Sequence, residues 1–262
     1  MSIPIFQVDA FTDKLFSGNP AAVVVLEQQA ETAWMQSIAR EMNLSETAFV
    51  HPQQGGYHLQ WFTPQVEVDL CGHATLATAH ILWQTGLVKT ADPIRFFTRS
   101  GWLTASQRND LIEMDFPSAS VEPVDVTEEL ITAVGVRPDF TYISGDKWLF
   151  EYADESIVRG LKPDFMALKQ RKGRALSVTA PSFTPGFDFV SRYFAPWIGI
   201  DEDPVTGSAH CFLGPYWAQK LGKSYLTAFQ ASSRGGIVNV RVSGDRTYIG
   251  GKAITVFAGE LQ

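Results

Sequence analysis

One pattern occurs twice in the chain, and it constrains the fold more than any other feature of the sequence. The stretch beginning at Phe62 reads FTPQVEVD, and the stretch beginning at Phe194, in the second half of a chain of 262 residues, reads FAPWIGID. Each copy leads to a glycine, Gly72 or Gly207, and then to a segment with the apolar content of a helix. The order strand, loop, glycine, helix is therefore predicted twice. We interpret the chain as two copies of one α/β unit.

The rest of the chain fits a fold of many short strands and few helices. Alternating apolar stretches predict strands, and helical spacing predicts helices over residues 31–43 and 164–171 and after both glycines. The segment 117–126, rich in Pro, Ser and acidic residues, is predicted as a linker between halves 1–118 and 119–262. Whether the last strand packs back on the first half is left open. Two unrelated strand–loop–helix units remain the alternative to a duplication.

The composition excludes several classes of function. The chain is 45% hydrophobic and 19% charged, with a net charge of −7 and no cluster of Lys and Arg, which argues against nucleic acid and anionic membranes as partners. No apolar run reaches the roughly 18 residues that a bilayer requires. Two cysteines and no signal-peptide pattern favour a reducing compartment, and we expect a cytoplasmic protein.

The two glycines mark the predicted starts of helices, which are sites where anions bind. The first N–H groups of a helix lack intrahelical acceptors, and the helix dipole adds about half a positive charge there. A duplicated unit usually packs with pseudo-twofold symmetry, so we expect Gly72 and Gly207 to face one cleft and to hold a carboxylate. The alternative is that each glycine only eases the loop into its helix.

Groups able to transfer protons lie near these glycines in the sequence. His73 and Ser208 directly follow them, and Asp203 precedes the second. A histidine suits acid–base chemistry near neutral pH, although it can equally bond the local backbone. Ser208 can serve as an N-cap and Asp203 can shape a turn. Glu46 lies between a predicted helix and a predicted strand, where it is either a catalytic carboxylate or a capping group.

Together these stretches resemble one known family. The segments VDAFT, FSGNPAAVV, NLSETAF, DLCGHATLA, EDPVTGSAH and SSRGG occur in order between residue 8 and about residue 257. They are similar to the PhzF-type phenazine-biosynthesis isomerases, which share the fold of diaminopimelate epimerase. The resemblance implies an α/β (α+β) fold of two pseudo-symmetric halves, each a β-barrel-like sheet around a central helix.

The resemblance also implies a cofactor-independent isomerase that moves a proton between carbons of a small carboxylate-bearing substrate. It gives Glu46 the role of the acid and base, and it gives His73, Asp203 and Ser208 catalytic roles in which they orient the substrate and assist the proton shift. It further implies a homodimer. The residues that it implies for substrate binding are Asn19, Ser45, Gly72, Thr206 and Gly207.

Two alternatives of other kinds remain. A two-thiol racemase on the same fold would place Cys71 at one helix start, but the matching stretch of the second copy, DPVT, holds no cysteine. A catalytically silent binding protein is the other alternative, because a fold does not guarantee activity. No metal-ligand spacing and no P-loop or GxGxxG pattern occurs, so neither a metal nor a nucleotide cofactor is expected.

Overall fold

The computed structural model describes residues 2–262 as short strands with a few helices. The strands are β1 (Ile3–Ala10), β2 (Asn19–Val25), β3 (Glu46–Gln53), β4 (Gly56–Phe62), β5 (Glu67–Val68), β6 (Ile94–Thr98), β7 (Gly101–Arg108), β8 (Leu111–Pro117), β9 (Glu122–Pro123), β10 (Phe140–Ser144), β11 (Lys147–Glu151), β12 (Ala175–Pro181), β13 (Phe189–Ala195), β14 (Ile200–Asp203), β15 (Tyr225–Gln230), β16 (Gly236–Ser243), β17 (Arg246–Gly251) and β18 (Ala253–Leu261). The helices are α1 (Thr32–Met42), α2 (Gly72–Gln84), α3 (Glu128–Val134), α4 (Glu155–Gly160), α5 (Phe165–Lys169) and α6 (His210–Leu221). Within residues 2–262, no helix is long and apolar enough to cross a membrane.

The chain divides into two compact units. Unit 1 extends through Phe116 and also takes in Tyr248–Gln262, while unit 2 is Pro117–Thr247. In unit 1, β2 pairs antiparallel with β1 and parallel with β3, and β4 pairs antiparallel with β3 and parallel with β6. The last strand, β18, pairs antiparallel with β1 and so completes this unit.

Helix α2 is the central element of unit 1. Its residues are buried around nearly the whole circumference, polar His73, Thr75 and Thr78 included. It packs against β1, β2, β3, β7 and β18. Its buried residues include Leu76, Ala79, Ile81 and Leu82. The start of α2 is therefore held in a fixed position by the strands around it.

Unit 2 repeats this pairing order strand for strand. β11 pairs antiparallel with β10 and parallel with β12, and β13 pairs antiparallel with β12 and parallel with β15. β9 pairs antiparallel with β10, as β18 does with β1. Helix α6 follows β14 and packs against β15 and β16. The predicted mixed α/β fold is confirmed, and the shared pairing order is what a duplicated unit produces.

The repeated octapeptide turns the chain back into an antiparallel hairpin in both units. In unit 1 it leads the chain back so that β5 pairs antiparallel with β4, with Phe62 opposite Glu67. In unit 2 it forms a 3-10 turn over Pro196–Ile198, and β14 then pairs antiparallel with β13. Each hairpin ends a short distance before the glycine-led segment. The pattern recurs because it sets the direction of the chain as it enters each helix.

The structure differs from the predicted elements at several places. The segment after Gly207 was predicted to be helical from its first residue, but Gly207–Ala209 form a 3-10 turn and α6 begins at His210. The elements that were not predicted are α3, α4, β5, β7, β9, β14 and β15, and β9 lies within the segment predicted as a linker. Both helices have N-caps that the sequence contains, Thr127 and Asp154, whose side chains accept backbone N–H bonds. They are short, so their apolar periodicity is too brief to recognise.

The loop between β1 and β2 is held in an unusual backbone conformation. Phe11, Phe16 and Gly18 all have positive φ angles, of 63°, 67° and 66°. The buried Asp9 carboxylate accepts a hydrogen bond from the Phe16 N–H at 2.8 Å, which closes the loop. A Cβ atom at Gly18 would lie 2.2 Å from the carbonyl oxygen of Ala10. This loop leads directly into Asn19, the buried first residue of β2.

We expect Gly18→Ala to destabilise the protein. The added methyl group must displace the backbone of β1 and also sits at a φ that alanine rarely adopts, which together cost about 1–3 kcal/mol. Urea unfolding measures the effect. Gly160→Ala is the matched control, because its Cβ meets no atom within 4 Å. Equal stability of the Gly18 variant and wild type would contradict the strain assigned to this loop.

Candidate active site

Glu46 is the first residue of β3, and the end of α1 sets its position. The helix ends at Asn43, which adopts the left-handed conformation with φ 51° and donates its N–H to the Ala39 carbonyl. The parallel ladder between β2 and β3 then begins with Ala21 opposite Glu46. The glutamate side chain is 13% exposed, and its Oε2 atom is buried.

His73 lies in the first turn of α2 and contacts this carboxylate. Its Nε2 atom is 3.3 Å from Glu46 Oε2, and its side chain is 6% exposed. The Asn19 side-chain nitrogen, at the start of β2, is 3.2 Å from Nδ1. Because that amide donates, Nδ1 is assigned as the accepting nitrogen and the ring proton is assigned to Nε2. Burial lowers the pKa of His73 to about 3, so the imidazole is neutral at neutral pH.

Ser45 completes the polar cluster. Its hydroxyl lies 3.3 Å from Asn19 Oδ1 and 3.5 Å from His73 Nε2. Asn19, the adjacent pair Ser45 and Glu46, and His73 come from three parts of the sequence, and the starts of β2, β3 and α2 bring them together. Gly72 opens the same helix turn. The structure thus places five of the predicted site residues at one end of α2.

The cysteines occupy different environments. Cys71, the buried N-cap residue of α2, has its sulfur 3.5 Å from His73 Nδ1. Cys211 lies one residue into α6, where burial raises the pKa of its thiol to about 12. Cys211 is therefore a neutral thiol at physiological pH and a poor nucleophile or base. This environment weighs against a mechanism that requires two reactive thiols.

The predicted residues of unit 2 are held by a glutamine that the sequence analysis missed. Gln230, buried at the end of β15, accepts the Thr206 N–H at 2.8 Å and donates to the Asp203 carbonyl at 2.7 Å. The Thr206 hydroxyl donates to the Asp203 carboxylate. Ser208 and Gly207 follow in the 3-10 turn. Ser208 was offered as a possible N-cap, but Thr206 and Ala209 occupy the N-cap positions there.

His210 fixes the same loop from the first turn of α6. Its Nδ1–H donates to the Thr206 carbonyl at 2.8 Å, and the side chain is fully buried. Burial lowers its pKa to about 4. His210 and Gln230 together determine the backbone path from Asp203 to Gly207. Gln230 carries no local sequence signal, because its partners are 24 or more residues away.

The geometry in unit 1 places a shielded carboxylate against a neutral imidazole at a helix start, an arrangement compatible with acid–base chemistry. The family described as phenazine biosynthesis-like protein, PhzC-PhzF, matches residues 8–259. The chain therefore belongs to the PhzF family, as its motifs predicted.

Individual relatives agree with this membership. A protein named as an uncharacterized isomerase from Halalkalibacterium halodurans is 50% identical over all of this chain and 99% of its own length. A crystal structure of a PhzF-family phenazine biosynthesis protein from Enterococcus faecalis superposes with a TM-score of 0.95 at 43% identity, covering 100% of both chains. A probable proline racemase from Agrobacterium radiobacter shares the fold at 12% identity, with a TM-score of 0.67 over 99% of this chain and 93% of its own.

We expect Gln230→Leu to destabilise unit 2. Leucine has a similar size but leaves the buried Thr206 N–H and Asp203 carbonyl without Gln230, at a cost of about 1–3 kcal/mol for each. Chemical denaturation measures the loss. Gln219→Leu, at an exposed position of α6, is the matched control. Equal unfolding free energies for the two variants would contradict the assigned role of Gln230.

The two buried histidines predict how stability depends on pH. Their pKa values are about 3 for His73 and about 4 for His210 when folded, against 6.5 for an unperturbed histidine. Between these values the unfolded chain binds more protons, so the free energy of unfolding decreases as the pH falls below 6.5. Each histidine should remove about 2 kcal/mol between pH 7.5 and 5.

Urea unfolding at those two pH values tests this dependence. His73→Gln and His210→Gln should each reduce the loss of stability on acidification. A His73 variant with the same pH dependence as wild type would contradict a neutral, buried imidazole.

Proposed function

We propose that the chain is an isomerase that moves a proton between carbons of a small carboxylate-bearing substrate, with Glu46 as the acid and base and without a cofactor. The isomerase class rests on family membership and on relatives that are named isomerases. The proton-transfer chemistry and the role of Glu46 rest on the polar cluster at the start of α2. A homodimeric, cytoplasmic enzyme is part of the same proposal.

The observation that carries this proposal is the 3.3 Å contact between Glu46 Oε2 and His73 Nε2. Because His73 is neutral, Glu46 can take up and release a proton without breaking an ion pair. A single carboxyl group that accepts a proton from one carbon and returns it to another needs that reversibility. Acid–base catalysis of this kind typically contributes ~10²–10⁴ in rate.

The substrate carboxylate is proposed to bind at the start of α2. The first intrahelical bond there runs from the Thr75 N–H to the Cys71 carbonyl at 3.1 Å. The preceding N–H groups, from Gly72 onward, precede the start of the helical ladder and point towards the helix end. Such an end favours an anion and also stabilises negative charge that develops on an enolate-like intermediate.

The remaining predicted residues have proposed roles in positioning. His73 would orient Glu46 and donate a hydrogen bond to substrate through its Nε2–H. Asn19 and Ser45 hold the imidazole, because both contact its ring nitrogens. Asp203, Thr206, Gly207 and Ser208 are proposed to orient the substrate and assist the proton shift, as their match to the family motif implies.

We expect Glu46→Gln to abolish exchange of carbon-bound protons while leaving the fold intact. The amide keeps the shape of the side chain but cannot act as a base, so the rate should fall by about 10²–10⁴. The protein is incubated in D₂O with a panel of small cyclic and unsaturated carboxylic acids, and deuterium uptake is read by mass. Glu41→Gln, at an exposed position of α1, is the matched control.

The outcomes separate the competing functions. Uptake in wild type and in Glu41→Gln that disappears in Glu46→Gln supports the proposal. Uptake that persists in Glu46→Gln would transfer the role of base to another group, with His73 and Asp203 tested next. Acids that bind, as measured by thermal shift, but exchange no proton in wild type would favour a binding protein over an enzyme.

A further inference from the structure

Three side chains of the kinds that bind metal ions lie together at the start of α2. Glu46, Cys71 and His73 each offer one ligand atom, and these atoms all lie within 4.8 Å of one another. His73 Nε2 is 3.3 Å from Glu46 Oε2, and Cys71 Sγ is 3.5 Å from His73 Nδ1. A tetrahedral zinc ion with bonds of about 2.0–2.3 Å holds its ligand atoms roughly 3.3–3.8 Å apart. The two contacts are made to opposite nitrogens of the imidazole, so an ion bound through one nitrogen needs a side-chain rotation that brings in the third ligand atom, which lies at most 4.8 Å away.

The types of ligand favour one class of ion. A thiolate and an imidazole select zinc and similar borderline-soft cations, whereas magnesium and calcium require oxygen ligands. One carboxylate, one thiolate and one neutral imidazole balance the charge of a divalent cation. The N-terminus of α2 opposes a cation through its partial positive charge, but this is smaller than the two formal negative charges, and it favours the Cys71 thiolate.

We propose that Glu46, Cys71 and His73 bind a zinc ion that inhibits proton transfer by occupying the Glu46 carboxylate. This inference rests on the proposed role of Glu46 for its inhibitory consequence, but the binding itself does not. Three protein ligands leave a fourth position for water or for a substrate carboxylate. The ion is an inhibitor and not a cofactor, because it removes the carboxylate from acid–base chemistry.

The surroundings of the histidine suit a metal ligand. A histidine that binds an ion through one ring nitrogen usually donates the other N–H to a nearby oxygen. Ser45 Oγ lies 3.5 Å from Nε2, and the Asn19 side-chain amide lies 3.2 Å from Nδ1 and can present its oxygen after an amide flip. Either ring nitrogen can thus bind the ion while the other remains hydrogen-bonded.

The test measures zinc binding directly, without any turnover. Isothermal titration of the full chain with zinc should give about one ion per chain, and Cys71→Ala should weaken binding by more than the roughly 10–100-fold that loss of a partner of a ligand costs. Glu46→Gln should also weaken it. Cys211→Ala and Glu41→Gln are the matched controls and should bind as wild type does. Cobalt(II) in place of zinc should give a thiolate-to-cobalt charge-transfer band that Cys71→Ala abolishes.

Several results would overturn the proposal. His51 and His58 have ring centroids 5.0 Å apart and form a second pair of imidazoles in unit 1. Zinc binding that survives Cys71→Ala but is lost in His58→Gln would assign the ion to that pair. Absence of binding, or a cobalt complex without the charge-transfer band, would also refute the site.

The deuterium-exchange assay tests separately whether bound zinc inhibits proton transfer. Saturating zinc should abolish uptake by wild type and leave uptake by Cys71→Ala unchanged, since we assign that thiol no part in proton transfer. Uptake by zinc-saturated wild type at the full rate would contradict Glu46 as a ligand. Failure of the proposed function is distinguishable, because it removes exchange from the zinc-free enzyme while titration still reports binding.

Discussion

The contact between a glutamate and a neutral histidine at the start of one buried helix is the interaction on which the candidate chemistry depends. Neither side chain would keep this relation on a mobile loop. α2 is packed by strands on several sides, and β3 begins at the glutamate itself. The cost of burying an imidazole is met by Asn19 and Ser45, whose side chains contact its nitrogens. The packed starts of β3 and α2 therefore hold Glu46 and His73 in fixed positions.

The two units share one pattern of strand pairing, but only unit 1 has a carboxylate at the position of Glu46. In unit 1 the parallel ladder of β2 and β3 begins with Glu46 opposite Ala21, and in unit 2 the corresponding ladder begins with Ala175 opposite Lys147. The antiparallel ladders that follow give the same alignment. Thr47 lies opposite Phe62 in unit 1, and Leu176 lies opposite Phe194 in unit 2, and each phenylalanine is the first residue of an octapeptide. Register thus assigns Ala175, a buried alanine, to the position of Glu46. The two copies share geometry and differ in chemistry.

Sequence reasoning succeeded where a local pattern carries the structural information. The octapeptide repeat, the apolar helix after Gly72 and the alternating strands can all be recognised without tertiary contacts. The family motifs also named Glu46 and His73, although sequence alone could not give their 3.3 Å contact or the neutrality of the ring. Gln230 was missed because its importance lies in bonds to a loop 24 residues away. The short helices α3 and α4 were missed because one or two turns give too little periodicity.

The return of the last strand to unit 1 has a consequence for how the protein is made. β1, near the start of the chain, pairs with β18, where Ile3 lies opposite Leu261. Synthesis proceeds at roughly 5–20 residues per second, and a domain generally folds as a unit once its residues are available. Unit 2 is continuous in sequence and can fold as soon as it emerges from the ribosome. Unit 1, which holds Glu46, must wait for β18, so the half whose synthesis begins first is completed after unit 2.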